Sequence, residues 1–97
     1  MNFNQRVWKL CKKIPKGKVS TYKEIAEAMD IKAYRAVGNA LNRNPYAPVV
    51  PCHRVVNSDG RVGGFARGTA AKVKLLKKEG IEIKNNKIDL KKYLFRL

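Results

Sequence analysis

A pair of short amphipathic helices joined by a tight break is the feature that most restricts the fold of this chain. Thr21 and Glu24 form a capping box, a hydroxyl at the cap with a carboxylate three residues later, which predicts a helix start. After a break at 30–32, apolar residues with helical spacing predict a second helix over 33–42. Two short helices joined in this way are typical of a helix-turn-helix.

The remaining patterns predict a mainly α domain with one small β-hairpin. An amphipathic helix over 4–13 ends at the proline and glycine of segment 14–17. A last helix over 69–79 is followed by Gly80, which suits its C-cap. The tail over 81–90 carries two asparagines between apolar stretches, and this pattern predicts a hairpin. We therefore expect a single winged-helix-like domain that contains the helix-turn-helix.

The charge of the chain indicates a polyanionic partner. It has 22 Lys and Arg residues against 7 Asp and Glu residues, a net charge of +15 on 97 residues. So large a surplus opposes the compact state by self-repulsion unless a polyanion binds, and nucleic acid is the first candidate. The sequence has no apolar run near the roughly 20 residues that span a bilayer and no signal-peptide pattern. We expect a cytoplasmic protein, nucleoid-associated in a prokaryote.

The second helix of the pair presents a face suited to DNA. The side chains opposite its apolar stripe belong to Arg35, Gly38, Asn39 and Asn42. They offer a long cation, two amides and a glycine that permits close approach, and no acidic residue occurs from 31 to 58. We expect this face to contact DNA. The alternative is that these polar groups are only solvated, as on the surface of any helical domain.

Residues 51–56, which read Pro-Cys-His-Arg-Val-Val, carry the pattern of a reactive centre. Proline fixes the backbone before Cys52, and His53 and Arg54 follow directly. Positive charge beside a cysteine favours the thiolate, which is the nucleophilic form. Cys11 differs, because it has helical spacing from apolar neighbours and is expected to pack in the core. Two cysteines and one histidine do not make an ordinary zinc site, so no metal is expected.

The stretch at 51–56 resembles the active-site motif of the O6-alkylguanine-DNA alkyltransferases, also called methylated-DNA–protein-cysteine methyltransferases. Further matches in the family order are Val7-Trp8, Ile14-Pro15-Lys16-Gly17, Ser20-Thr21-Tyr22, 33–38, Asn44-Pro45, Val62-Gly63-Gly64-Phe65 and Lys78-Glu79-Gly80. The resemblance is to the catalytic C-terminal domain and implies one catalytic and DNA-binding domain over 1–97. Most members carry an additional N-terminal domain, so here we expect support for the active-site loop either to be weaker or to come from this domain alone.

The resemblance implies roles in direct alkyl transfer for several residues. The catalytic group would consist of Cys52, His53, Glu79, Tyr22 and Asn44. Cys52 would take the alkyl group, His53 would act as its base through a bridging water, and Glu79 would orient the imidazole. Tyr22 would hydrogen-bond the extruded base, and Asn44 would position the active-site loop. As alternatives, Tyr22 would be mainly a core residue, and Glu79 would only cap its helix.

A further set of residues is expected to contact DNA or substrate. The DNA-binding residues would be Arg35, Gly38, Asn39, Arg43, Arg54 and Lys72, the last through diffuse phosphate contact. By resemblance, Arg35 would fill the space of the flipped nucleotide, with its helix in the minor groove. The substrate pocket would include Val62, Gly64 and Phe65. The partner would be double-stranded DNA containing O6-alkylguanine, bound by a monomer that is consumed in the reaction and needs no cofactor.

Three other functions remain open from the sequence. Alkyltransferase-like proteins bind O6-alkylguanine and flag it for another pathway, but they have a different residue, often tryptophan, at the position of Cys52. A basic DNA-binding protein or regulator with an inert thiol would show no preference for damaged DNA. A membrane-surface role is the least favoured, because no helix combines a broad apolar face with a lysine-rich one. The presence of Cys52 favours alkyl transfer.

Overall fold

Five α-helices, one 3₁₀ helix and two very short strands make up the computed structural model, which describes residues 1–47, 49–64 and 68–97. The helices are α1 (Phe3–Cys11), α2 (Tyr22–Ala28), α3 (Tyr34–Asn42), α4 (Thr69–Lys78) and α5 (Leu90–Tyr93). The 3₁₀ helix is Cys52–Arg54, and the strands are β1 (Ser20–Thr21) and β2 (Val55–Val56). The mainly helical fold with a small sheet is therefore confirmed, while α5 and the 3₁₀ helix were not predicted.

The helix-turn-helix is formed by α2 and α3, which pack against each other. The Thr21 hydroxyl accepts a hydrogen bond from the Glu24 amide (3.0 Å), so the hydroxyl half of the predicted capping box is present, but the Thr21 amide does not donate to the Glu24 carboxylate. At the other end of α2, Asp30 adopts a positive φ of 57°. The amide of Ile31 donates to the Ala26 carbonyl (3.0 Å), which closes a Schellman-type turn and sets the angle between the helices.

The sheet is not the hairpin that the sequence predicted. Strands β1 and β2 are parallel, and Ser20 lies opposite Val55. In the tail, the backbones of Lys84 and Lys87 exchange hydrogen bonds of 2.9 and 3.0 Å around a two-residue turn. Asn85 and Asn86 both have positive φ, 52° and 59°, as a tight hairpin turn requires. The predicted turn is thus present, but its arms pair through one bridge and form no strands.

Two hydrophobic clusters hold these elements in place. The first packs α1, α2 and α3 around Val7, Ile25 and Val37, and the second packs α4 and the tail around Val56 and Leu76. Cys11 is fully buried in the first cluster, which confirms its predicted packing role. Burial is the main reason that its pKa is raised to about 12. None of the described helices is long and apolar enough to cross a membrane.

Candidate active site and nucleic-acid interface

Cys52 opens the 3₁₀ helix at the end of a braced loop. Pro51, whose side chain is fully buried, precedes it as the cap, and the Cys52 amide donates to the Val50 carbonyl (2.9 Å). The Val55 amide donates in turn to the Cys52 carbonyl. The cysteine is partly buried and packs against the first cluster. A buried proline and two backbone hydrogen bonds therefore give this thiol a defined position.

Asn44 braces the loop that leads to Cys52. Its Nδ2 donates to the Val50 carbonyl (2.8 Å), and its Oδ1 accepts from the Tyr46 amide (2.8 Å). The Tyr46 ring meets Trp8 of α1 edge-on, with ring centroids 5.7 Å apart. One amide side chain thus contacts two points of the loop that leads to Cys52.

A single carboxylate joins the two residues that follow Cys52. Oε2 of Glu79 accepts from His53 Nε2 (3.0 Å) and from Arg54 Nη2 (2.7 Å), and Oε1 accepts from Arg54 Nε (2.9 Å). His53 is almost fully buried, with 3% of its surface exposed. Burial raises the pKa of Glu79, but the hydrogen bonds from Arg54 and His53 outweigh it, so this pKa lies below its ordinary value.

The structure corrects the expectation that Arg54 contacts DNA. Its guanidinium is directed into the protein, because Nη1 donates to the Ile14 carbonyl (2.8 Å) while Nε and Nη2 donate to Glu79. Only 16% of the side chain is exposed. The forked shape of the guanidinium matches a carboxylate, and each of its three nitrogens donates to a group inside the protein. Arg54 therefore supports the site from within.

The structure also corrects the expectation that Lys72 contacts DNA phosphates. Expected to make diffuse phosphate contacts, it is instead completely buried on the inner face of α4, one turn before Leu76. Its Nζ donates to the Gly64 carbonyl (3.1 Å) and lies 5.8 Å from the centre of the Tyr22 ring. A side chain with no exposed surface cannot reach DNA, although its position at helical spacing from Leu76 was a sequence signal for burial.

An open cleft of about 610 Å³ lies between α3 and the start of α2. Its described lining consists of Tyr22, Tyr34, Arg35, Gly38, Asn39, Asn42, Asn57 and Gly64. Tyr22 is partly buried, and burial is the main cause of its raised pKa, with a smaller contribution from negative charge at Cys52. Cys52 itself is not among the described lining residues. The cleft therefore brings together the expected DNA face and the expected substrate tyrosine.

Two other predicted residues, Arg43 and Val62, are not among the described residues that line this cleft. Arg43 is exposed at the C-cap of α3, where it is free to meet a phosphate. Val62 is fully buried in the second cluster and is not among the described residues that line the cleft, so its place in a substrate pocket stays a prediction. Gly64 does line the cleft, whereas Phe65 lies outside the described residues.

Sequence reasoning missed two lining residues. Tyr34 is 44% exposed at the first position of α3, beside Arg35, and an aromatic next to a cation at a helix start was an available signal. Asn57 follows β2, and its side chain lies close to Gly63. Its placement depends on the sheet pairing, for which the sequence carried no signal. Across 1–47, 49–64 and 68–97, no cluster of three His, Cys, Asp or Glu residues could hold a metal ion.

Comparison with known proteins gives a family match over most of the chain. The model described as 6-O-methylguanine DNA methyltransferase, DNA binding domain, matches residues 2–81. The methylated-DNA–protein-cysteine methyltransferase of Methanosarcina barkeri is 52% identical over 79 residues, which cover 80% of this chain and 50% of that protein. The chain spans 30–52% of the length of the first curated relatives that it matches.

Two solved structures resemble the fold closely. Mycobacterium tuberculosis OGT in complex with DNA has a TM-score of 0.78 at 44% identity, covering 81% of this chain and 50% of that one. S. pombe Atl1 in complex with damaged DNA containing O6-carboxymethylguanine has a TM-score of 0.87 at 33% identity. That alignment covers 98% of this chain and 95% of the S. pombe chain.

Proposed function

Because this chain belongs to the family of 6-O-methylguanine DNA methyltransferase DNA-binding domains, we propose that it repairs double-stranded DNA by moving the alkyl group of O6-alkylguanine onto Cys52. The whole of 1–97 acts as one catalytic and DNA-binding domain, equivalent to the C-terminal catalytic domain of longer relatives. It works as a monomer, without a cofactor, in the cytoplasm. The names of the relatives and the DNA-bound neighbours support this proposal.

The observation that carries the proposal is the arrangement of Cys52, His53 and Glu79. Glu79 Oε2 engages His53 Nε2 at 3.0 Å, which leaves Nδ1 as the ring nitrogen available to take a proton. A nucleophile, a base and a group that orients the base are the parts an activated thiol requires. We assign proton transfer from Cys52 to His53 through a water, since no direct hydrogen bond joins their side chains in the described chain.

The proposed reaction is a single displacement. The proton of the Cys52 thiol moves to His53, and the sulfur electron pair forms a bond to the alkyl carbon as the bond from that carbon to guanine O6 breaks. Guanine takes up a proton at its ring, donated by the Tyr22 hydroxyl, and the proton held by His53 passes to the Tyr22 oxygen, so that both side chains end neutral. The products are an unmodified guanine and a thioether, which has no facile route back to the thiol, so each molecule acts once.

The cleft beside α3 is assigned to the extruded nucleotide. The alkyl carbon on a stacked guanine is out of reach of a protein thiol, and extrusion costs a few kcal/mol, less for a weakened pair. Arg35, Gly38 and Asn39 would contact the duplex, with Arg35 filling the vacated position. Tyr22 and Gly64 also line this cleft, where the base would enter.

A second candidate function is lesion binding without transfer. Its support is the neighbour Atl1 in complex with O6-carboxymethylguanine DNA, which overlaps this chain almost end to end. In this alternative the extruded nucleotide would occupy the same cleft, and Cys52 would stay unchanged.

Intact-protein mass spectrometry after incubation with a duplex containing one O6-methylguanine tests the proposal. We expect a gain of one methylene unit that maps to Cys52. Cys52→Ala should show no gain, whereas Cys11→Ala should gain it as the wild type does, because Cys11 is buried and remains a neutral thiol. An unchanged mass combined with tighter binding to the lesion duplex than to undamaged DNA would instead establish the second candidate.

A further inference from the structure

Lys72 is a buried cation with no acidic partner in the described part of the chain. It has no exposed surface, and no carboxylate lies within ion-pair distance of its Nζ among the described residues. Glu79, further along the same helix, is occupied by His53 and Arg54. The contacts of the ammonium are the Gly64 carbonyl at 3.1 Å and the face of Tyr22 at 5.8 Å from the ring centre. A buried charge without an ion pair is costly, so its presence requires a reason.

The surroundings of Lys72 indicate what balances its charge. Burial is the main cause that lowers its pKa to about 8, and negative charge at Cys52 acts in the opposite direction. Negative charge at Cys11 acts in the same sense, but with a pKa of about 12 that thiol stays neutral. The titratable groups whose charge acts on Lys72 are Cys52 of the 3₁₀ helix and Cys11 on α1, and the Tyr22 ring on α2 faces its ammonium. His53 and Arg54, which follow Cys52, are bound by Glu79 at the end of α4.

The contacts of Lys72 also join two of the residues that line the cleft. Gly64 and Tyr22 line the cleft from segments far apart in the chain, and both are bound by the same ammonium. The hydrogen bond to Gly64 and the cation–π contact to Tyr22 each depend on the positive charge for much of their strength. A neutral side chain of the same length would fill the volume but would lose both interactions.

We propose that Lys72 is a positioning residue for alkyl transfer, the buried counter-ion of the Cys52 thiolate and the tie between Tyr22 and Gly64 at the cleft. This inference rests on the proposed function and deepens it. Before transfer, the ammonium stabilises the thiolate that forms when Cys52 gives up its proton. It also holds the tyrosine face and the glycine backbone at a fixed spacing for the incoming base. Lys72 itself forms no bond with the substrate and transfers no proton.

The test compares Lys72→Met, which keeps length and removes charge, with Lys72→Arg, which keeps charge. Lys74→Met on the same helix, where the side chain is exposed, is the matched control. Two quantities are measured across pH: the single-turnover rate of transfer from an O6-methylguanine duplex, and the alkylation of Cys52 by iodoacetamide in the absence of DNA. Binding of the lesion duplex is measured alongside at fixed salt.

We expect Lys72→Met to slow transfer by about tenfold to a hundredfold, as loss of one preorganised electrostatic group does. Its iodoacetamide profile should move to higher pH, with lesion-duplex binding within about threefold of wild type, which is under about 0.7 kcal/mol. Lys72→Arg should restore part of the rate, and Lys74→Met should change neither readout. If Lys72→Met does not fold, Lys72→Gln, which keeps a donor for Gly64, takes its place.

Two results would overturn the proposal. One is an unchanged iodoacetamide profile in the charge-removing variant, and the other is a loss of DNA binding equal to the loss of transfer, which a purely structural role would produce. The iodoacetamide profile needs no DNA and no transfer, so it tests the coupling of Lys72 with Cys52 even if the wild type proves unable to transfer an alkyl group. Failure of this inference and failure of the proposed function are therefore distinguishable.

Discussion

At the scale of single residues, Glu79 has the most consequences, because one carboxylate holds a histidine and an arginine at once. The Arg54 pair is bidentate, with distances of 2.9 and 2.7 Å, and the Glu79 side chain is only 13% exposed. Charge-assisted hydrogen bonds in such a partly buried setting are stronger than neutral ones. Removing the acceptor would leave Arg54 buried and uncompensated and would free the His53 ring to rotate.

We predict that Glu79→Gln lowers the free energy of unfolding at pH 7 by about 2 kcal/mol. The pKa of Glu79 is depressed in the folded state, so its stabilising effect is present above the ordinary value of 4.5 and is lost as pH falls through the folded pKa. The difference between variant and wild type should therefore shrink at pH 3. Urea unfolding at both pH values measures it.

Glu27→Gln is the control for this prediction, since it removes the same charge from a surface pair. Glu27 meets Lys23 at 3.9 Å with both side chains more than half exposed. Such pairs contribute less than about 0.5 kcal/mol, so this variant should match the wild type at both pH values. A Glu79→Gln difference that stays constant from pH 7 to pH 3 would show that the carboxylate charge is not what stabilises the site.

At the scale of elements, one face of α3 packs in the core and the opposite face lines the cleft. Its buried residues Val37, Ala40 and Leu41 pack on the first cluster, and the Ala40 carbonyl accepts from Trp8 Nε1 (2.7 Å). The opposite face, including Arg35 and Asn39, is exposed along the cleft. A helix held this firmly on one side can present the other to a nucleic acid without rearrangement.

We predict that Arg35→Ala weakens binding to the O6-methylguanine duplex by about tenfold, or about 1.4 kcal/mol. Fluorescence anisotropy at one fixed salt concentration measures the Kd, because affinity for DNA depends steeply on ionic strength. Arg6→Ala makes the same change of charge on the exposed surface of α1, away from the cleft, and should cost less. Equal losses in the two variants would mean that the cation acts only through overall charge.

At the scale of the whole molecule, the C-terminal segment beyond the matched family region completes the fold. The Val19 amide donates to the Tyr93 carbonyl (3.0 Å), and the Phe95 amide donates to the Val19 carbonyl (2.7 Å). Tyr93 belongs to the second hydrophobic cluster, while Phe95 and Leu97 pack against the first. The tail therefore joins both clusters, and it does so beside β1, which leads directly into Tyr22.

We predict that Phe95→Ala lowers the free energy of unfolding by about 2 kcal/mol, less than for a fully buried phenylalanine because Phe95 is partly exposed. Urea denaturation provides the measurement. Arg96→Ala, next in the chain, alters a side chain that is 82% exposed with a 3.8 Å contact to Glu24, and should be nearly neutral. A Phe95 variant as stable as the wild type would show that packing of the tail against the first cluster does not stabilise the fold.

Features that depend only on neighbouring residues could be predicted from the sequence. The Thr21 cap, the turn at Asn85 and Asn86, the glycine after α4 and the apolar stripes follow from spacings of a few residues, and their locations came out close to the prediction. The catalytic roles of Cys52, His53 and Glu79 came from the family resemblance and stay a prediction. Local hydrogen bonding and helical periodicity explain why the cap, the turn and the apolar stripes were predicted correctly, because both act within one or two turns.

Which charged side chains lie inside the protein became visible only in the tertiary structure. Arg54 and Lys72 have side chains that are normally solvated, and their burial depends on partners distant in the chain, a carboxylate for one and a carbonyl with an aromatic face for the other. The parallel pairing of Ser20 with Val55 likewise joins segments that carry no local pairing signal. The cost of burying a charge depends on the groups that surround it, and those groups are brought together only by the completed fold.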